Sequence, residues 1–168
     1  MVKPDLRVSV LCVICALAVL LASGCSASKG ARQFSSTDEL SQTLVEKINM
    51  DNVVKVSGDK LIKHYNLSSD IFEDATAYIS QNEDVTDQVA VFRLKNDSDY
   101  NQVYDQIGSR LNQLANSYKD HSPVEYKKIS GAIIKVLNDD LIFIICDKPS
   151  LALEAVSEMG AEDYIKGE

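Results

Sequence analysis

Leu40, Leu44, Val45 and Ile48 recur at intervals of three and four, the spacing that gathers side chains on one face of a helix. The letters before them supply a start. Ser36-Thr37-Asp38-Glu39 reads as a capping box, Ser36 accepting from the third helical N–H while Glu39 reaches back, so a first helix is expected to about Met50. Residues 53–56 form a short extended stretch. Ser57-Gly58-Asp59 then opens a brief second helix through Tyr65, with Leu61, Ile62 and Tyr65 inward. Beyond it the period changes from helical to alternating. Residues 75–80 and 88–95 have strand character, the second setting Val89, Val91 and Arg93 against Ala90, Phe92 and Leu94. Polar residues 81–86 join them into an antiparallel hairpin.

The strongest helical pattern follows, capped by Asp97 or Ser98 and carrying Tyr100, Val103, Tyr104, Ile107, Leu111, Leu114, Ala115 and Tyr118 on one stripe. Pro123 closes that region. Residues 129–137 and 141–146 are two apolar runs around Asn138-Asp139-Asp140, a turn-forming trio, and predict a second hairpin in the middle of the sheet. Pro149 suits the first position of a last helix, with Leu151, Leu153, Ala155, Val156 and Met159 as its apolar positions and a frayed tail after Gly160. Each hairpin is followed by a helix, so the expected fold is α+β. It is a two-layer domain with a four-stranded, mainly antiparallel sheet, helices packed on one face and an additional N-terminal helical segment.

The leading segment has a different pattern. Lys3 and Arg7 precede an apolar run over residues 8–22 and then small residues, the layout of a secretory signal. The run is shorter than the ~20 residues a helix needs to cross hydrocarbon, and no basic stop follows it. Leu21-Ala22-Ser23-Gly24-Cys25 resembles a bacterial lipobox, with Ala22 where leucine is commoner, in which the cysteine thiol receives diacylglycerol before cleavage. The expected organisation is therefore a lipoprotein signal peptide over 1–24, a lipidated flexible tether over 25–35 and a single α+β domain over 36–168. Simple secretion and an uncleaved anchor are the alternatives. Each acyl methylene in the bilayer stabilises attachment by ~0.8 kcal/mol, so two chains on Cys25 hold a domain where one binds only reversibly. The expected location is the extracytoplasmic face of the cell membrane.

Composition adds exclusions. With 45% hydrophobic and 25% charged residues and only 7 Gly and 3 Pro, the chain lies in the globular range. The formal charge of −8 becomes more negative once Lys3, Arg7 and Asp5 are removed, and no basic stripe exists for a phosphate backbone. Nucleic acid is excluded as a partner, and contact with a membrane rests on the lipid. Of the 4 cysteines, Cys12 and Cys15 fall in the apolar run and Cys25 is the lipidation site. Cys146 is then the lone thiol of the exported part, and an intramolecular disulfide is excluded.

Candidate chemistry is sparse. Cys146 ends an apolar strand beside Asp147, and as a nucleophile it needs a base that neither His64 nor His121 supplies in sequence; a small packed thiol is the plainer reading. His64 and His121 lack zinc spacing. Asn96-Asp97-Ser98-Asp99 has alternating carboxylates but not the glycine and glutamate of a calcium loop, and helix capping explains the same letters. Asn82-Glu83-Asp84 with Asp87, and Asp139-Asp140, offer carboxylate pairs for hydrolysis or for weak cation binding, against ordinary turn solvation. No phosphate loop, nucleophile elbow or zinc-protease helix occurs, and no cofactor or metal is expected.

Leu44-Val45-Glu46-Lys47, Tyr65-Asn66-Leu67, Ala75-Thr76-Ala77-Tyr78-Ile79-Ser80, Val89-Ala90-Val91-Phe92 and Ser122-Pro123-Val124-Glu125-Tyr126-Lys127-Lys128, taken with the lipobox, form one constellation. It resembles the small bacterial lipoproteins of the DUF4358 family, a domain of unknown function, over residues 40–159. The resemblance implies an exported, lipid-anchored α+β domain and carries over no activity or catalytic residue. The expectation is a non-enzymatic binding or protein-interaction module that meets an envelope protein or wall polymer. The alternatives are a small envelope hydrolase using carboxylates or Cys146, and a carrier of lipid or another apolar ligand.

Overall fold

A computed structural model describes residues 32–164. The signal segment 1–24, the lipidation site Cys25 and most of the 25–35 tether lie outside the described residues, as do 165–168. The first helix, α1 (Thr37–Ile48), starts as its letters dictate: the Ser36 hydroxyl accepts from the Glu39 N–H at 3.1 Å. Glu39 reaches back one residue further than expected, to the Ser35 N–H at 2.8 Å and its hydroxyl at 2.6 Å. Asn49 ends the helix in the left-handed region at φ 52°, a conformation its short polar side chain tolerates.

Strand β1 (Val53–Ser57) leads into α2 (Gly58–Tyr65), and the hairpin β2 (Phe72–Ser80) and β3 (Gln88–Leu94) follows. A short 3-10 turn, Asp97–Asp99, opens the long helix α3 (Tyr100–Tyr118). The rest is α4 (Pro123–Ser130), β4 (Ile133–Leu137), β5 (Asp140–Ile145), α5 (Pro149–Glu158) and β6 (Glu162–Asp163). None of the described helices is long and apolar enough to cross a membrane.

The class is α+β as expected, but the sheet has six strands in the order β1-β2-β3-β5-β4-β6, every neighbour antiparallel, rather than four. The two additions lie at its edges. Residues 53–56, read only as extended, are joined by Ser57 in a strand that pairs with β2 from Val53↔Ser80 to Ser57↔Thr76. The tail after Gly160, expected to fray, pairs Asp163 with Lys135 and ties the two by an ion pair of 2.6 Å. Edge strands this short give too weak a local signal, because their partners supply the pairing.

The two-layer expectation is also corrected. Val89, Val91, Ile142 and Ile144 pack under α1 and α5, whereas Ala90, Phe92, Leu141, Phe143 and Ile145 pack under α2 and α3 on the opposite face. Three layers result, because β3 and β5 are buried along their whole length and an antiparallel sheet that is apolar on both sides must be covered on both. The two hairpins meet through β3 and β5 as a doubled arrangement, yet the helices that follow them, α3 and α5, lie on different faces.

Residues 123–130, read as the end of one region and the start of a strand, are helical. Pro123 takes the first turn, where its missing N–H is harmless, and the Ser122 hydroxyl accepts from the Glu125 N–H at 3.4 Å. Strand β4 therefore begins at Ile133, not Ile129, and Asp140 belongs to β5 rather than to the turn.

Candidate functional site

The two ends of β3 differ in chemistry. At one end Arg93 projects to the α1 face and is 3% exposed. Its Nε donates to Asp140 Oδ1 at 2.7 Å and its Nη2 to Asp140 Oδ2 at 2.9 Å across the β3–β5 pair. The same guanidinium donates to the carbonyl oxygens of Ser35 at 3.1 Å and Phe34 at 3.3 Å. The bond to Asp140 holds the Arg93 guanidinium above its ordinary range. Nearby, Arg32 bridges Glu73 at 2.9 Å and Asp139 at 3.3 Å. The Asp139-Asp140 pair is thus engaged by arginines, and the point where the chain enters the domain is fastened to this end of the sheet.

At the other end, about 17 Å away along β3 for five residues at ~3.4 Å each, Gln88 stands beside a recess of about 310 Å³ between α2 and α3. His64, Ser80, Thr86, Arg110 and Tyr118 also line it. The Tyr65 hydroxyl donates to Gln88 Oε1 at 2.6 Å, and the Gln88 amide donates to the Thr86 carbonyl oxygen at 3.3 Å. Arg110 lies over the Tyr65 ring, 5.3 Å from its centre. Its Nη1 donates to the His64 carbonyl oxygen at 3.1 Å, and its Nη2 lies 2.6 Å from His64 Nε2. A guanidinium can only donate, so His64 must accept on Nε2 and carry its hydrogen on Nδ1. Burial and then the Arg110 charge push the His64 pKa down to about 4, in keeping with a neutral ring.

Arg110 itself is held below the ordinary arginine range by burial, with only the Tyr65 ring opposing. Its Nε is buried and has no acceptor among the described residues. Leaving such a donor unmade costs about 1–3 kcal/mol, more where the group is charged. Charge-assisted pairing with a carboxylate, the usual remedy, is what Arg93 has and Arg110, among the described residues, lacks.

A third feature surrounds Cys146. An apolar groove of about 680 Å³ is lined by Pro123, Val124, Lys127, Gly131, Cys146 and Pro149, and Val124 at its side is 67% exposed. Burial pushes the Cys146 thiol up, the Lys148 amide acting in the opposite sense, so the neutral thiol is favoured over the nucleophilic thiolate. Beneath it Lys128 joins Asp87 at 2.9 Å and Glu125 at 2.8 Å, and Glu125 accepts from the Thr86 N–H and hydroxyl at 2.8 and 2.7 Å. This trio ties α4 to the start of β3. Burial raises the Asp87 carboxyl and Lys128 opposes the shift.

Of the other sequence candidates, Asn82 and Glu83 line the recess and Asp87 belongs to the trio near Cys146, whereas His121 and Asp99 lie apart. His121 lies in the turn after α3, its N–H on the Tyr118 carbonyl oxygen. Asp87 is drawn to Lys128 while Asn82 accepts from the Asp84 N–H at 3.0 Å in a local turn. Asp99 accepts from the Asn96 amide at 3.1 Å at the entry to α3, where no side chain caps the helix. Among the described residues no three His, Cys, Asp or Glu side chains are placed to hold one metal ion. Arg93 and Arg110 were not candidates in the sequence. A basic residue inside an apolar strand, and another set three after Ile107 and four before Leu114 at the edge of an apolar stripe, are the signals that point to them.

The model of a family described as Domain of unknown function (DUF4358) matches residues 46–147, which include both ends of β3, the recess and Cys146. No curated protein and no solved structure matches the chain. The chain belongs to that family.

Proposed function

We propose that this DUF4358 member is an exported domain, held by a lipid on Cys25 at the extracytoplasmic face of the cell membrane, where it works as a non-enzymatic binding module. One observation carries the reading: the chain enters the domain beside Arg93, and the recess opens by Gln88, at opposite ends of the same strand. From Cys25 to Ser35 the chain spans at most about 36 Å when fully extended. The tether joins the domain at its Arg93 end, which leaves the Gln88 end free to meet an envelope protein or a wall polymer.

The placements weigh against the alternatives. Asp140 and Asp87 are neutralised by Arg93 and Lys128, and the His64 ring accepts from Arg110 instead of serving Cys146, which does not favour a hydrolase. Tyr65, Phe92 and Phe143 fill the space under α3, their rings edge-on at centre separations of 5.2 and 6.2 Å, which does not favour a carrier of apolar molecules. Fractionation of cells expressing the full chain, with intact-mass measurement, tests the reading. Expected are a membrane-bound protein beginning at a diacylglyceryl-modified Cys25 and a Cys25→Ser form that loses the lipid mass. An unmodified polypeptide still beginning at Met1 removes the anchor. Co-purification from membranes that brings down no envelope component removes the binding role.

A further inference from the structure

We propose that the recess between α2 and α3 is a binding site for a small carboxylate, with the Arg110 guanidinium as its anchoring cation. The proposal rests on the reading of the domain as a binding module and supplies its site and ligand class. Three observations converge. Arg110 and Glu83 both line the recess, but among the described residues Arg110 forms no ion pair and its buried Nε has no acceptor. The guanidinium is held in place before any ligand arrives, by the His64 carbonyl oxygen, the His64 ring nitrogen and the face of Tyr65. Tyr65 is fixed in turn by Gln88. A cation so positioned loses little freedom when it takes up an anion, which is the condition for binding a small ligand tightly.

The class of anion follows from the surroundings. A guanidinium presents its N–H groups as a planar fork that matches the two oxygens of a carboxylate, and at the other end of β3 the Nε and Nη2 of Arg93 grip Asp140 in that way. On Arg110 the Nε is buried out of a ligand's reach, but Nη1 and Nη2 each spend one of their two hydrogens on His64, which leaves the end of the fork as the pair that meets a carboxylate. Glu83 lies on the rim of the recess and Asp84 is near enough to act on the Tyr118 hydroxyl, so a singly charged group is tolerated better than a phosphate dianion. About 310 Å³ is at the small end of ligand sites and suits a compact molecule.

Melting of the full chain in detergent, followed by circular dichroism with acetate, succinate or inorganic phosphate and chloride at equal ionic strength as the reference, tests the site. A carboxylate is expected to raise Tm by several degrees above the chloride reference, in a saturable way, as binding to the folded state alone requires. Arg110→Met is expected to abolish that rise while the variant still melts cooperatively. Arg110→Lys, which keeps the charge and loses the planar fork, is expected to weaken the apparent affinity by at least about tenfold and covers the case in which Arg110→Met does not fold. The proposal is overturned by carboxylates that act no better than chloride, by phosphate acting alone, or by an unchanged carboxylate response in Arg110→Lys. None of these readouts depends on the lipid. Loss of membrane attachment in Cys25→Ser with an intact carboxylate response leaves the site standing, and the reverse result leaves only the tether.

Discussion

Arg93 and Arg110 serve one sheet at opposite ends with opposite solutions to the same problem. Arg93 is buried and Arg110 half-buried, but Arg93 meets Asp140 through two short bonds and spends its other donors on the Phe34 and Ser35 backbone. Arg110 meets a neutral imidazole, a carbonyl oxygen and an aromatic face. A paired charge locks a structure and an unpaired one waits for a partner, so the first region reads as architecture and the second as a site. The comparison can be broken by experiment.

The largest effect is expected at Asp140. Asp140→Ala strands Arg93 in a buried position, and urea denaturation should show a loss of about 3–5 kcal/mol, whereas replacing both residues by apolar ones of similar size should recover most of it. A single-variant loss under about 1 kcal/mol would dissolve the contrast, since a solvated surface pair costs that much. Next comes Tyr65→Phe, which removes the donor to Gln88 Oε1 under Arg110. Denaturation should report a loss of about 1–2 kcal/mol for a buried acceptor left alone.

His64 provides a pH test. Its folded pKa of about 4 lies below its ordinary 6.5, so the folded state holds the neutral ring. The stability gained is complete above pH 6.5 and falls away as pH drops from 6.5 toward 4, because the unfolded chain binds the proton first. Arg110 is the charged neighbour that disfavours the proton, with Tyr65 edge-on to the ring and Glu83 at the rim. His64→Gln keeps an acceptor for Arg110 and cannot titrate. Melts at pH 7 and pH 4.5 should differ less for it than for the wild type, by about 1 kcal/mol after allowance for partial exposure. The smallest effect is expected for Arg110→Met without ligand. Two hydrogen bonds are lost and an unpaired charge is removed, so stability at pH 7 should change by less than about 1 kcal/mol. A loss as large as that of Asp140→Ala would make the two arginines equivalent.

Much of this architecture was legible one element at a time. Ser36 capping α1, the helical spacing from Tyr100 to Tyr118 and the alternation from Gln88 to Leu94 depend on neighbours a few residues away. The edge strands, α4 and the third layer were harder, for different reasons. Val53–Ser57 and Glu162–Asp163 are strands because β2 and β4 offer partners. Pro123 permits either an end or a beginning, and only Ser122 accepting from Glu125 decides for the beginning. The Val89–Phe92 and Leu141–Ile145 runs did announce burial on both faces, since neither has a polar side to give to water.

The functional reading divides along the same line. Sequence by itself determined the central elements, the α+β class, the family, the acidic charge and the single free thiol of the described domain, Cys146. These follow from local spacing and from composition. Tertiary structure alone decided which arginine found a carboxylate. Asp140 lies 47 residues from Arg93 and His64 lies 46 from Arg110, and only strand register and helix packing bring either pair into contact. Charge pairing acts over a few ångströms in space and is blind to distance along the chain.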